Sequence, residues 1–143
     1  MSTIIEETVE VPTEETVELP AELEQAEDEI MILRKAHDLL LDQDNWCRGR
    51  GAIRRDGAAI NVRPWDEGVV QRCVLGAIAW ASGESWEWFG DPSPRYVAAR
   101  ERLSREIDIP TTLRDDSTSK IVKVNDGVDG YQRIMAALKR AIS

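Results

Sequence analysis

The sequence predicts a mainly α-helical domain with minor β structure, carried behind an acidic N-terminal arm. Three observations predict it. Apolar residues recur at three- and four-residue spacings in several separate segments. Gly, Pro, Asn and Asp punctuate the chain between those segments. Charge is divided sharply, since residues 1–29 hold 11 acids and no base, whereas residues 30–143 hold 18 basic against 16 acidic residues. The net charge of −9 therefore describes neither part.

The arm carries a short repeat, Glu6-Glu7-Thr8-Val9-Glu10-Val11-Pro12 and then Glu14-Glu15-Thr16-Val17-Glu18-Leu19-Pro20. It has too few apolar groups to offset the entropy of ordering, so residues 1–24 are expected to be disordered and residues 25–143 to form a single helical domain. The alternating Thr, Val and Glu suit pairing with a sheet edge on a partner, with Pro12 and Pro20 ending each strand.

After Pro20, the spacing of Ile30, Leu33, His37, Leu40 and Leu41 marks one face of a first helix ending near Asp44-Asn45. In Ala52 to Val62, Asp56-Gly57 supplies the turn of a small β-hairpin. Asp66 is expected to cap a second helix running to Ser82, apolar around most of its circumference and therefore central, with Gly83 ending it. Pro92-Ser93-Pro94 opens a third helix, with Tyr96, Ala99, Leu103 and Ile107 inward and Pro110 as its stop. Ile121 to Val124 reads as a short strand or extended segment, and Asn125-Asp126-Gly127 as a turn into a last helix facing inward with Tyr131, Ile134, Leu138 and Ile142. About four amphipathic helices and one hairpin result.

Three short motifs stand out: Trp46-Cys47-Arg48-Gly49, Cys73-Val74-Leu75-Gly76-Ala77 within a helix, and Asn125-Asp126 ahead of the final helix. In this respect residues 30–142 resemble an uncharacterised family of small actinobacterial and bacteriophage proteins. In that pattern an aromatic residue often precedes Asn-Asp, where this chain has Val124. The resemblance implies no activity.

Composition narrows the chemistry. No apolar stretch approaches the ~20 residues of a bilayer span, and residues 1–10 lack the regions of a signal peptide, so a cytoplasmic protein with free thiols and no membrane association is expected. With Cys47, Cys73 and His37 as its Cys and His residues, the chain lacks the ligand set and spacing of a zinc site, and its glycines match no phosphate-binding loop, so neither metal nor cofactor is expected. A cysteine nucleophile would have to be Cys47, with His37 as base and Asn125 or Asp126 as orienting group. The bland reading makes both cysteines small buried apolar residues.

Binding is the stronger expectation. Arg48, Arg50, Arg54 and Arg55 crowd a Gly-containing segment suited to gripping anionic groups, although Asp56, Asp66 and Glu67 are near enough to neutralise them. Trp86, Trp88 and Phe89 form an aromatic cluster beside Gly90 and Pro92, of the kind that anchors interfaces, whereas Trp46 and Trp80 are expected to pack. The expected function is a non-enzymatic accessory or regulatory role through an unidentified protein partner, with the arm engaging a basic or sheet-edged surface. The alternatives are a small cysteine-dependent enzyme and a nucleic-acid-binding domain masked by its arm. The arm's charge opposes binding to nucleic acid.

Overall fold

The computed structural model describes residues 20–109 and 116–143. The expectation that the arm is disordered falls outside them up to Leu19, but Ala21 to Glu24 form the first turn of a helix. Five α-helices and one two-stranded antiparallel sheet are present among the described residues, which makes the fold mainly α with minor β.

Helix α1, Ala21–Leu40, starts on Pro20, whose carbonyl accepts from the amides of Leu23 and Glu24. Glu22 and Glu24 in its first turn complement the helix dipole. Glu29, Ile32, Leu33, Ala36 and Leu40 form its buried stripe. At its far end the Tyr131 hydroxyl donates to the Leu40 carbonyl at 2.6 Å, satisfying an acceptor that the helix leaves open. A 3-10 turn, Gln43–Asn45, follows, with Asp42 accepting from the Asp44 amide at 3.0 Å.

The hairpin expectation needs correcting. Strand β1, Ala52–Arg54, does turn at Asp56-Gly57, where the Arg54 amide reaches the Ala58 carbonyl and Gly57 adopts φ +90°. Its partner is not the chain immediately beyond that turn. It is β2, Val69–Arg72, paired antiparallel through Ala52 with Arg72 and Ile53 with Gln71. Residues after the turn cannot supply a ladder: Ile60 is 80% exposed, Asn61 is left-handed at φ 60°, and Pro64 lacks an amide proton.

The second helix is correspondingly shorter than expected. Val69 and Val70 are β-branched and go into the strand. Helix α2, Val74–Ala81, begins at Cys73, whose Sγ accepts from the Gly76 amide at 3.3 Å. Asp66 instead closes a turn, accepting from the amide and the Nε of Arg63 at 2.8 and 3.0 Å. Seven of the eight residues of α2 are buried, so it is central as expected, packed against α1. It also packs against α3, Pro94–Ser104, and α4, Ser117–Asp126. Gly83 ends α2 at φ +73°.

Helix α3 opens on Ser93 and Pro94 and buries Tyr96, Ala99 and Leu103 as expected, but stops at Ser104, ahead of Pro110, which lies outside the described residues. Ile121 to Val124, expected as a strand or extended segment, is helical. Asp116 caps α4 by accepting from the Ser119 amide at 2.8 Å, and Ile121, Val124 and Asn125 turn inward together at i, i+3 and i+4. Helix α5, Gly130–Ile142, follows Asp129 and buries Ile134, Ala137, Leu138 and Ala141. A Cβ on Gly130 would lie 2.2 Å from the Asn125 carbonyl oxygen, so the α4–α5 corner requires glycine.

Candidate functional site

The three motifs meet at Asn125. This side chain, 2% exposed, sits in the last turn of α4 and uses its full hydrogen-bonding capacity. Its Oδ1 accepts from Trp46 Nε1 at 2.9 Å and from the Val74 amide at 3.1 Å. Its Nδ2 donates to the Cys47 carbonyl at 3.2 Å and to Asp126 Oδ1 at 2.9 Å. Asp126 Oδ1 in turn accepts from the Gly49 amide at 2.9 Å. The Asn-Asp pair thus ties the loop after the 3-10 turn to the start of α2. Backbone contacts tighten the junction: Cys47 N reaches the Arg72 carbonyl, and Cys73 N the Gly51 carbonyl. A Cβ on Gly76 would fall 2.0 Å from the Gly51 oxygen, so the motif glycine lets helix and loop touch.

The cysteines lie beside this junction as buried thiols. Cys47 Sγ donates to the Arg50 carbonyl at 3.3 Å. Burial first, then the nearby Cys73 and Asp126, pushes the Cys47 thiol up to about 12, with Arg72 opposing. Burial raises Cys73 to about 11, partly offset by the amides of Gly76 and Leu75. Both are protonated at neutral pH, the reverse of an activated nucleophile. Cys47, Asn125 and Asp126 are brought together, but His37 pairs with Asp38 at 3.2 Å, and among the described residues no hydrogen bond joins it to either cysteine. No group of three or more His, Cys, Asp or Glu side chains able to hold a metal occurs among the described residues.

The aromatic cluster is larger than its sequence segment. Trp86 and Trp88, both half-buried, pack with Trp65 from the loop before β2 and with buried Tyr96 of α3. Trp86 lies 4.8 Å from Trp65 and 5.0 Å from Tyr96 between ring centroids, and Trp88 lies 6.0 and 6.2 Å from the same rings. Trp88 also rests on the Gly51 backbone, where a Cβ would be 3.2 Å from its indole. Phe89, next in sequence, is left 85% exposed. Trp88 borders three surface clefts. One of about 200 Å³ runs between it, Leu75, Ile121 and the Asn125-Asp126 pair. A second, of about 300 Å³, lies among Leu75, Trp86, Phe89, Tyr96 and Arg100. A third, also about 200 Å³, is lined by Asn61, Arg63 and Phe89.

The arginines divide. Arg54 pairs with Asp56 at 2.9 Å, and Arg48 lies 5.3 Å from the Trp46 ring centroid. Arg50 edges the cleft beside Asp126, whereas Arg54 and Arg55 line a different cleft together with Asp56 and Glu67. They do not converge into one grip. Sequence reasoning missed Trp65 and Tyr96 as parts of the platform. Tyr96 was signalled as an inward residue of its helix, and Trp65 carried no signal apart from being a tryptophan beside Pro64. It also passed over Arg72, which is 8% exposed, donates from Nε to the Pro64 carbonyl at 2.8 Å and lies 5.2 Å from the Trp80 ring centroid.

Among the described residues, no helix is long and apolar enough to cross a membrane. Residues 25–143 match the model of DUF6197, a family of unknown function. No curated protein and no solved structure matches the chain.

Proposed function

The chain belongs to this family of unknown function, and we propose that it is a non-enzymatic binding protein whose Trp86 to Phe89 loop anchors a partner polypeptide. The observation that carries this reading is the placement of Phe89, 85% exposed, on a loop whose two tryptophans are held by Trp65 and Tyr96. Aromatic side chains fixed before binding lose little entropy on association, which is what makes them effective anchors. The flanking clefts, at about 200 to 300 Å³, are at or below the ~300–1,000 Å³ of small-molecule sites and suit single apolar side chains of a polypeptide. Hydrolase or transferase chemistry draws no support from two protonated, buried thiols. The acidic arm adds charge for a basic or sheet-edged surface on the partner. The motif resemblance suggests the setting, an accessory protein of actinobacterial or bacteriophage cytoplasm.

A photo-crosslinking amino acid at position 89, introduced in the producing cell, tests the reading. One discrete polypeptide adduct is expected at 89, none at exposed Gln132 of α5, and loss of the adduct when Trp88 is changed to Ala. Equal labelling at 89 and 132, or none at 89, refutes it.

A further inference from the structure

Arg72 is a buried cation that pairs with no carboxylate among the described residues. Arginine is seldom buried without a carboxylate, because a desolvated cation needs compensation. At 8% exposure Arg72 has two compensations, the Pro64 carbonyl at Nε and the face of Trp80. No described residue accepts from its two terminal nitrogens, and no buried side-chain nitrogen is left without a partner. The terminal nitrogens therefore open to the surface. The Lys35 ammonium of α1 lies 4.8 Å from the centroid of the same indole. The shared ring holds the two cations within roughly 10 Å, about one Debye length at 0.1 M salt. No carboxylate among the described residues pairs with either.

Two like charges on one aromatic ring, one of them a planar fork with free donors, make an incomplete ion-pair cluster whose missing member is an oxyanion. We propose that Arg72, Trp80 and Lys35 form a carboxylate-binding site for a glutamate-bearing peptide segment. The sequence itself carries a source: six glutamates lie within residues 1–19, joined directly to α1, the helix that bears Lys35. Distance permits the contact. Ala21 to Lys35 spans about 21 Å at ~1.5 Å per helical residue. The seven residues back to Glu14 reach ~23 Å when extended. Tethering at that length gives an effective concentration in the ~mM range, which suits a weak site. An acidic segment of another chain offers the same chemistry. The site is independent of the Trp88 reading, since it uses none of those side chains.

The test follows the Trp80 indole N–H by two-dimensional NMR on the full chain, with Trp80→Phe for assignment. In one arm of the experiment the six glutamates are changed to glutamine; in the other, hexaglutamate peptide is added to that variant. A shift of the Trp80 signal on Glu→Gln substitution, abolished in Lys35→Ala, establishes occupation by the chain's own arm. No shift on substitution, but a saturable shift with hexaglutamate that Lys35→Ala weakens by about two- to fivefold and Lys139→Ala does not, establishes the site with an external ligand. A Trp80 signal indifferent to both, in a chain whose other resonances show it folded, overturns the proposal.

Discussion

Asn125 illustrates what a single amide can organise. Four hydrogen bonds converge on it, two accepted and two donated, and three of the partners belong to segments far away in sequence. Aspartate in its place is nearly the same size but cannot donate, and alanine abandons every partner. Asn125→Ala and Asn125→Asp are both expected to destabilise the fold by about 2–4 kcal/mol, because each leaves buried polar groups unsatisfied. Urea unfolding of both variants measures this, and a midpoint equal to that of the parent chain would deny Asn125 its organising role. The sequence displayed Asn125, Cys47 and Cys73 as motif residues. What it concealed was the bond pattern, since nothing local to Asn125 announces that its partners are Trp46 and Val74. The burial that protonates the thiols is likewise a property of the assembled junction.

At the scale of elements, the helices with strong periodicity were readable, and the failures share a cause. Helices α1 and α5 bury residues three and four apart over 20 and 13 residues, so their pattern identifies them unaided. The run Ile121-Val122-Lys123-Val124 is too short to show a period, and its β-branched residues favour a strand until the Asp116 cap and the packing against α2 override them. The strand pairing was hidden for another reason: β1 and β2 are separated by a 14-residue irregular loop, and no hairpin signal extends that far. The phase of α4 gives a direct test. A strand would put residues 121 and 124 on opposite faces, whereas the helix buries Ile121 and Val124 together, at 0% and 2% exposure, and leaves Val122 38% exposed. Ile121→Ala is therefore expected to cost ~2–5 kcal/mol in urea unfolding and Val124→Ala ~1–3 kcal/mol, against under ~1 kcal/mol for Val122→Ala. A loss at 121 with none at 124 would contradict the helical phase.

For the molecule as a whole, the burial that argues against thiol chemistry also fixes how stability responds to pH. Cys47 and Cys73 keep their protons to about 12 and 11, and Tyr96, buried in the aromatic platform, keeps its phenolic proton to about 12. In the unfolded chain the thiols release theirs near 9.0 and the phenol near 10.0. Above pH 9 the unfolded chain consequently binds fewer protons than the folded one, and stability must fall as pH rises. The contribution of these groups is fully present below pH 9 and is lost progressively as pH climbs through 11 and 12. Urea midpoints measured from pH 7 to 11 should show no thiol-linked change up to about 9 and then decline, with a shallower decline in Cys47→Ala. A nucleophilic Cys47 would give the opposite sign. Its thiolate would be favoured by the fold, its folded pKa would lie below 9.0, and its contribution would grow as pH rose toward that value. The slope on either side of pH 9 thus separates a cysteine that fills the junction from one held ready to react, and it does so without any knowledge of a substrate.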